Sequence, residues 1–337
     1  MKTKEFRQER LDRGIKVRTE GLYAMSSWRE MSYLLVPRLV LILGLLALPL
    51  LMPSAYWQRV ISIVCIYALL SIGFDLLANF VGLVSLGGAF FVGIGGYLTA
   101  ILNVYLGIPI ILTIPIATVA GAIICTVLLV PCLPLRGVYF AIATLMYPLI
   151  FTRLIEALNI FGGTDGIVGV ASFPNPWIER YLIIIMLIAV LFGMRRLVGE
   201  DLGLVFQAVK DNDQAVRASA ININSVKALA VFVASGVGCL GGAFIVHIYM
   251  WSGLSQFALD FSILPIAATV IGGGGTLIGP IIGAFILVPI SELLRELGTL
   301  RIAVYCVILV VFIVFKSEGI MVWGERKYHQ FQKWVKV

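Results

Sequence analysis

RRLVGEDLGLVFQAVKDNDQAVRASAININSVK, residues 195–227, holds nine charged side chains, and the chain on both sides of it holds almost none. Leu76 to Leu135 is a run of sixty residues without Asp, Glu, Lys or Arg, and Ala228–Leu259 and Phe261–Ser291 are likewise uncharged. A water-soluble domain needs a polar outer face, which uncharged runs of this length cannot supply, so the flanking segments belong in lipid. The charged stretch is then the part that meets water and whatever works there.

Composition leads to the same class. Hydrophobic residues make up 60% of the 337 and charged residues 13%, against about 45–50% and about 25% in ordinary soluble domains. The 34 glycines suit helices packed backbone to backbone in a bilayer. The net charge of +7 is not the footprint of a nucleic-acid binder. Its basic residues gather in the N-terminal tail, in the charged stretch and in the C-terminal tail, which marks those three as cytoplasmic. Cys65, Cys125, Cys132, Cys239 and Cys306 show no paired metal-ligand spacing and read as small packing residues, with no disulfide framework and no metal. The charged N-terminus lacks the layout of a cleavable signal.

A crossing needs about 20 apolar residues, which predicts an all-α polytopic bundle of about ten spans. They fall near 34–52, 60–78, 83–106, 109–130, 138–159, 178–194, 226–250, 259–272, 276–297 and 301–316. The domain plan is a basic tail over 1–33, a transmembrane domain over 34–316 with the charged loop 195–227, and a second tail over 317–337. Both tails are expected in the cytoplasm, as are Arg136 and the charged loop, while residues 161–177, without Lys or Arg, are expected outside. The segments 178–194 and 259–272 are short, so each is expected to be tilted or broken.

Two glycine-rich stretches open predicted spans from the same side: GLVSLGGAFFVGIGG at 82–96 and GGGGTLIGPIIG at 272–283. They are candidates for matching elements of two related halves. Glycine there serves either close packing or an unwound turn that frees backbone groups to line a pathway. Neither stretch is a phosphate loop, so the chain is not expected to bind or hydrolyse ATP. Within the charged stretch, Val205, Ala208, Val209, Asn212, Val216 and Ser219 recur at helical spacing, which predicts one short amphipathic helix over 204–220. Its apolar face reads as Val and Ala without large anchors, and its polar face carries mixed charge. Both features favour a protein partner over a headgroup layer.

VFQAVKDNDQAVRASAIN at 205–222 followed by Lys227, together with LRGVYFAIATL at 135–145, GGTDG at 162–166 and IGGGGTLIGPIIGA at 271–284, resembles the M-type permease subunits of ATP-binding-cassette importers for branched-chain amino acids. The resemblance covers roughly residues 60–319. Two departures stand out: Ala220 where that family usually has Gly, and Gly88 where it often has a polar residue. The resemblance implies a type II importer permease fold and a coupling helix seated in a separate ATPase, with Gln207, Lys210, Asp211, Asn212, Asp213, Ala215 and Arg217 as contacts. It also implies Gly87, Gly88, Phe91, Gly93, Thr144, Gly273, Gly274 and Thr276 as pathway or gate candidates, and Thr164 and Asp165 as an outer contact. The implied partners are a homologous H-type permease, two ATPase subunits holding ATP and Mg, a periplasmic binding protein and the inner membrane, with no cofactor on this chain and no nucleic acid. The solute would be a branched-chain amino acid, or alternatively urea, a short amide or another small acid. An ion-coupled secondary transporter would instead need charge at the bilayer midplane, and an intramembrane enzyme would need a catalytic polar cluster. The sequence offers neither.

Asp75 and Asp260 are the remaining acids at predicted span ends, where function and simple solvation compete. Arg153 and Glu156 are spaced to neutralise each other on one helix, as are Glu292, Arg295 and Glu296. His247 reads as a hydrogen-bonded packing residue.

Overall fold

The computed structural model describes residues 42–50, 52, 54–135, 137–294 and a few positions between 298 and 323. Ten α-helices carry most of the described residues from 55 to 293. Helix α1, Ala55–Asp75, is an Ile-, Leu- and Val-rich run without an internal proline, and it widens into a π-helical turn over Leu76–Val81. Gly82 ends it at φ 80°, a left-handed conformation in which a Cβ would collide with the following carbonyl. After an extended stretch comes α2, Gly88–Ala100, which also widens, over Ile101–Tyr105. Next are α3, Ile110–Leu129, α4, Val138–Leu158, and α5, Pro176–Gly199. Two short helices follow, α6, Asp201–Asp211, and α7, Asp213–Ala218. The chain then returns through α8, Ile223–Tyr249, α9, Asp260–Gly272, and α10, Ile278–Leu293. Strands β1, Ile167–Val168, and β2, Trp251–Ser252, pair antiparallel with Ile167 opposite Ser252.

Seven helical segments among the described residues are long and apolar enough to cross a bilayer, and α10 is a shorter apolar helix. Eight of the expected spans are therefore helical. Of the span near 34–52, residues 42–50 are helical, while the one near 301–316 lies largely outside the described residues, as do Arg136, Arg295, Glu296 and nearly all of both tails. The segment expected to be short at 178–194 is in fact the 24-residue α5. Asn175 extends it at the start, its Oδ1 accepting from Trp177 N at 3.0 Å as an N-cap, and the arginines of the charged stretch continue its last turn. The other short segment is broken as expected: α9 has 13 residues and follows a separate turn of 3-10 helix at Leu254–Phe257.

Helices α1, α2 and α8 form the core. At the α2–α8 crossing, a Cβ on Gly242 would run into the Val92 carbonyl and one on Gly95 into the Cys239 backbone. The two backbones touch directly, which is the packing small residues permit in lipid. Helices α3, α4 and α5 turn apolar side chains outward, among them Ile111, Val127, Val138 and Ile185, as surfaces wetted by lipid rather than water do. Cys65, Cys125 and Cys239 are buried and free.

Candidate functional site

The charged stretch folds as two helices, not one. Asn212 breaks the run with φ −156° and ψ 98°, and its Oδ1 accepts from Gln214 N at 2.9 Å and Ala215 N at 3.2 Å. Asn is a strong N-cap and a poor interior residue because its short side chain competes for backbone groups. The expected apolar face changes accordingly. Gly203, Phe206, Val209 and Val216 are buried, whereas Ala208, Asn212 and Ser219 are exposed. Phe206, fully buried, is the large anchor that a single-helix phase leaves out. Val209 and Val216 close with Ile223 and the neighbouring Val226 into a small core, so the apolar face is used up on this chain's own helices.

Apart from Leu202 and Leu204 near the start of α6, what remains outward is mainly polar. Gln207, Lys210, Asp211, Asn212, Gln214, Ala215 and Arg217 are exposed. Asp213 is turned back to Lys227 at 3.4 Å, the two side chains only 15% and 7% exposed. Beside them lies a cleft of about 350 Å³ lined by Gly82, Leu135, Gly137, Lys210, Asn212 and Lys227 among others. Ala220 takes φ 60°, the left-handed geometry for which Gly is the natural occupant.

Lys210 leads inward to a second feature. Its ammonium donates to the Asn79 carbonyl at 2.8 Å. The Asn79 amide donates to Asp75 Oδ1 at 2.7 Å, and Gly275 N and Leu277 N donate to the two carboxylate oxygens at 2.7 and 3.2 Å. Asp75 has no exposed surface. It sits in the turn between α9 and α10, where Gly273 and Gly275 hold φ 106° and 80°, so the four-glycine stretch is unwound. Thr276 Oγ1 donates to Gly273 O at 2.8 Å and accepts from Gly279 N at 2.9 Å. Gly273, Gly274 and Thr276 are thereby brought together around one buried carboxylate. An anion caged by backbone N–H groups at a helix start is a stable arrangement even in a low-dielectric layer.

Gly87, Gly88 and Thr144 form another group, deeper in the bundle. Leu86 N donates to Thr144 Oγ1 at 3.0 Å, Gly87 N to Ser85 Oγ at 3.2 Å and Ala89 N to Ser262 Oγ at 2.9 Å. Tyr67 stacks on Phe261, whose backbone adjoins Gly88. Tyr67 stands twelve residues up α1 from Asn79, a rise of roughly 18 Å. Helix α2 therefore starts inside the bundle, and three hydroxyls supply the acceptors that lipid cannot. A Cβ on Gly88 would come within 2.7 Å of Phe261 O, so this chain has no room for a polar side chain there unless α9 shifts. The gap beside Gly88 and Phe91 is about 20 Å³, room for about one water. A Cβ on Gly93 would strike the ring of Phe257.

At the far end of the bundle the loop 160–166 is a chain of tight turns, with Asp165 N donating to Gly162 O at 3.0 Å and Trp251 Nε1 donating to Asp165 O at 2.8 Å. Thr164 and Asp165 are exposed at its tip. A cavity of about 400 Å³ lies nearby, between Ile66, Tyr67, Trp251, Gln256, Asp260 and Glu292. Arg153 and Glu156 pair at 2.8 Å, and the Nδ1 of His247 lies 2.8 Å from Ala171 O. Sequence reasoning left Asp75 at a span end and passed over Asn79. Their i, i+4 spacing, on a helix whose other charged residue is Arg59 near its start, was the signal that could have placed both on one face.

The family described as the permease component of branched-chain amino acid transport systems matches residues 56–315. The high-affinity branched-chain amino acid transport system permease protein LivM of Escherichia coli (strain K12) is 25% identical over 294 residues, covering 77% of this chain and 68% of that protein. The protein of the same name from Salmonella typhimurium is 25% identical over 290 residues, covering 76% and 68%. The probable branched-chain amino acid transport permease protein LivM of Methanocaldococcus jannaschii is 23% identical over 224 residues, covering 62% and 65%. No solved structure matches the chain.

Proposed function

Because the chain belongs to the permease-component family of branched-chain amino acid transport systems, we propose that it is one membrane-spanning half of an importer driven by ATP hydrolysed on separate subunits. A homologous H-type permease supplies the other half. Two ATPase subunits, holding ATP and Mg, dock on the exposed side of α6 and α7. A periplasmic binding protein delivers the solute to the opposite end, where Thr164 and Asp165 lie. Both termini are cytoplasmic, and the chain itself carries no catalytic group and no cofactor.

The observation that carries this reading is the outward polar face of α6 and α7. Helices that bury Phe206, Val209 and Val216 on their own bundle leave Leu202 and Leu204, near the start of α6, as their large exposed apolar side chains, too few to make a stripe for a headgroup layer. Their mixed-charge face of Gln207, Asp211, Asn212 and Arg217 suits a polar protein cleft. The small gap at Gly88 also fits, because a solute route that cannot pass within one chain must run between two.

The solute is a branched-chain amino acid in this reading. Purified chain, reconstituted in proteoliposomes with the partner permease, ATPases and binding protein, should take up radiolabelled leucine, isoleucine or valine only when ATP is enclosed with the ATPases. Uptake of urea instead would keep the transporter class and change the solute. Uptake that continues without any ATPase would make it a secondary transporter.

A further inference from the structure

A motor docked on α6 and α7 must act on helices that it does not touch, and the structure contains a continuous polar connection from α6 to two of them. From the exposed helix α6, Lys210 Nζ donates to Asn79 O at 2.8 Å. The Asn79 amide donates to Asp75 Oδ1 at 2.7 Å. The Asp75 carboxylate holds Gly275 N at 2.7 Å and Leu277 N at 3.2 Å. Four groups thus join a water-facing helix to the unwound turn between α9 and α10.

Several features argue against a merely decorative network. Asp75 lies in a membrane-spanning helix with none of its surface exposed, where an ionisable group is retained against a large desolvation penalty. The turn contains Gly273, Gly274 and Gly275, of which Gly273 and Gly275 are left-handed, and the carboxylate adds a hold from α1 to the one that Thr276 Oγ1 supplies within the turn. Asn79 lies in the π-helical turn Leu76–Val81, and such widened turns are frequent at functional sites. The fit around Asn79 is close, because a Cβ on Gly274 would run into its side-chain amide.

We propose that Lys210, Asn79 and Asp75 form a transmission latch: displacement of α6 by the ATPases is passed through Asn79 and Asp75 to the Gly272–Gly275 turn, which repositions α9 and α10. These are positioning residues, and none of them contacts the solute. The proposal rests on the importer reading above and adds to it the internal element that the motor moves. Physical proximity alone does not establish a coupling route, so the test measures coupling.

Asn79→Ala, Asp75→Asn and the double variant are placed in the complete transporter in proteoliposomes, and leucine uptake and ATP hydrolysis are measured in the same vesicles. In Asp75→Asn the new amide opposes the Leu277 N–H, and the charge that held three donors is lost. Each single variant should lower leucine moved per ATP hydrolysed by about tenfold, the scale of one lost charge-assisted bond, with hydrolysis itself retained. The double variant should be no worse than the poorer single one, since both break the same connection. An unchanged ratio, a fall in hydrolysis that matches the fall in uptake, or additive losses would each overturn the latch. If Asp75→Asn does not assemble, Asn79→Ala, which keeps the carboxylate and its two backbone donors, decides alone by the same ratio. Absence of ATP-driven uptake in the unsubstituted complex would be a failure of the importer reading, seen before any variant is compared.

Discussion

At residue scale, the two departures from the family pattern acquire physical meaning. Ala220 stands at φ 60°, and a Cβ in that region costs about 1–2 kcal/mol, against about 0.4–1 kcal/mol of unfolded-chain entropy that glycine adds. Ala220→Gly should therefore raise stability by up to about 1 kcal/mol, read as a higher thermal midpoint in detergent. A lower midpoint would mean that the left-handed turn is not strained. Asp211 and Asp213 look alike in sequence and differ in structure: Asp211 is exposed, and Asp213 is paired with Lys227. Asp211→Lys should weaken binding of the ATPases and leave the thermal midpoint unchanged. Asp213→Lys should instead destabilise the fold by about 1.5–3 kcal/mol, because it sets two cations together in a partly buried place. Equal behaviour of the two variants in pull-down and melting would remove that distinction. Nothing in the order Asp-Asn-Asp signals which acid turns inward. That depends on Lys227, fourteen residues on.

At the scale of elements, periodicity located the amphipathic segment but missed its break, since one Asn resets the helical phase and so hid Phe206. The glycine stretches were legible as irregular places. Their depth was not, because it depends on which hydroxyls meet them. Thr144 shows why this matters: its Oγ1 accepts from Leu86 N at 3.0 Å at a depth where water is absent. Thr144→Val should cost about 1–3 kcal/mol by leaving that donor unpaired, and Thr144→Ser should restore it. Equal thermal midpoints for the Val and Ser variants would contradict this role. Gly274→Leu pushes into Asn79 and should cost about 1–3 kcal/mol of overpacking. It should also impair uptake more than a substitution of similar size on a lipid-facing helix such as Ile111→Phe. Unchanged uptake in Gly274→Leu would return the four glycines to a packing role.

At the scale of the whole molecule, the charge pattern was enough to specify a helical membrane bundle, because long uncharged runs leave no other solvent for the chain. Which helices form the core was less legible. α1, α8 and α3 are all predominantly apolar, and closely approached glycines such as Gly95 and Gly242 mark the central crossing. The molecule that results has a polar, self-anchored pair of helices at one end and turns bound by Trp251 at the other, with a buried carboxylate in between. In the importer proposed above, force enters at α6 and α7, and the solute passes alongside the membrane helices.

The most direct measurement places a photo-crosslinking amino acid at Gln214, which is exposed on α7 and caps nothing, in membranes containing the ATPase subunits. The expected product is a covalent adduct between this chain and an ATPase subunit, formed from the cytoplasmic side. Labelling of Gln214 only from outside the cell, or adducts to lipid with none to an ATPase, would contradict the role assigned to α6 and α7.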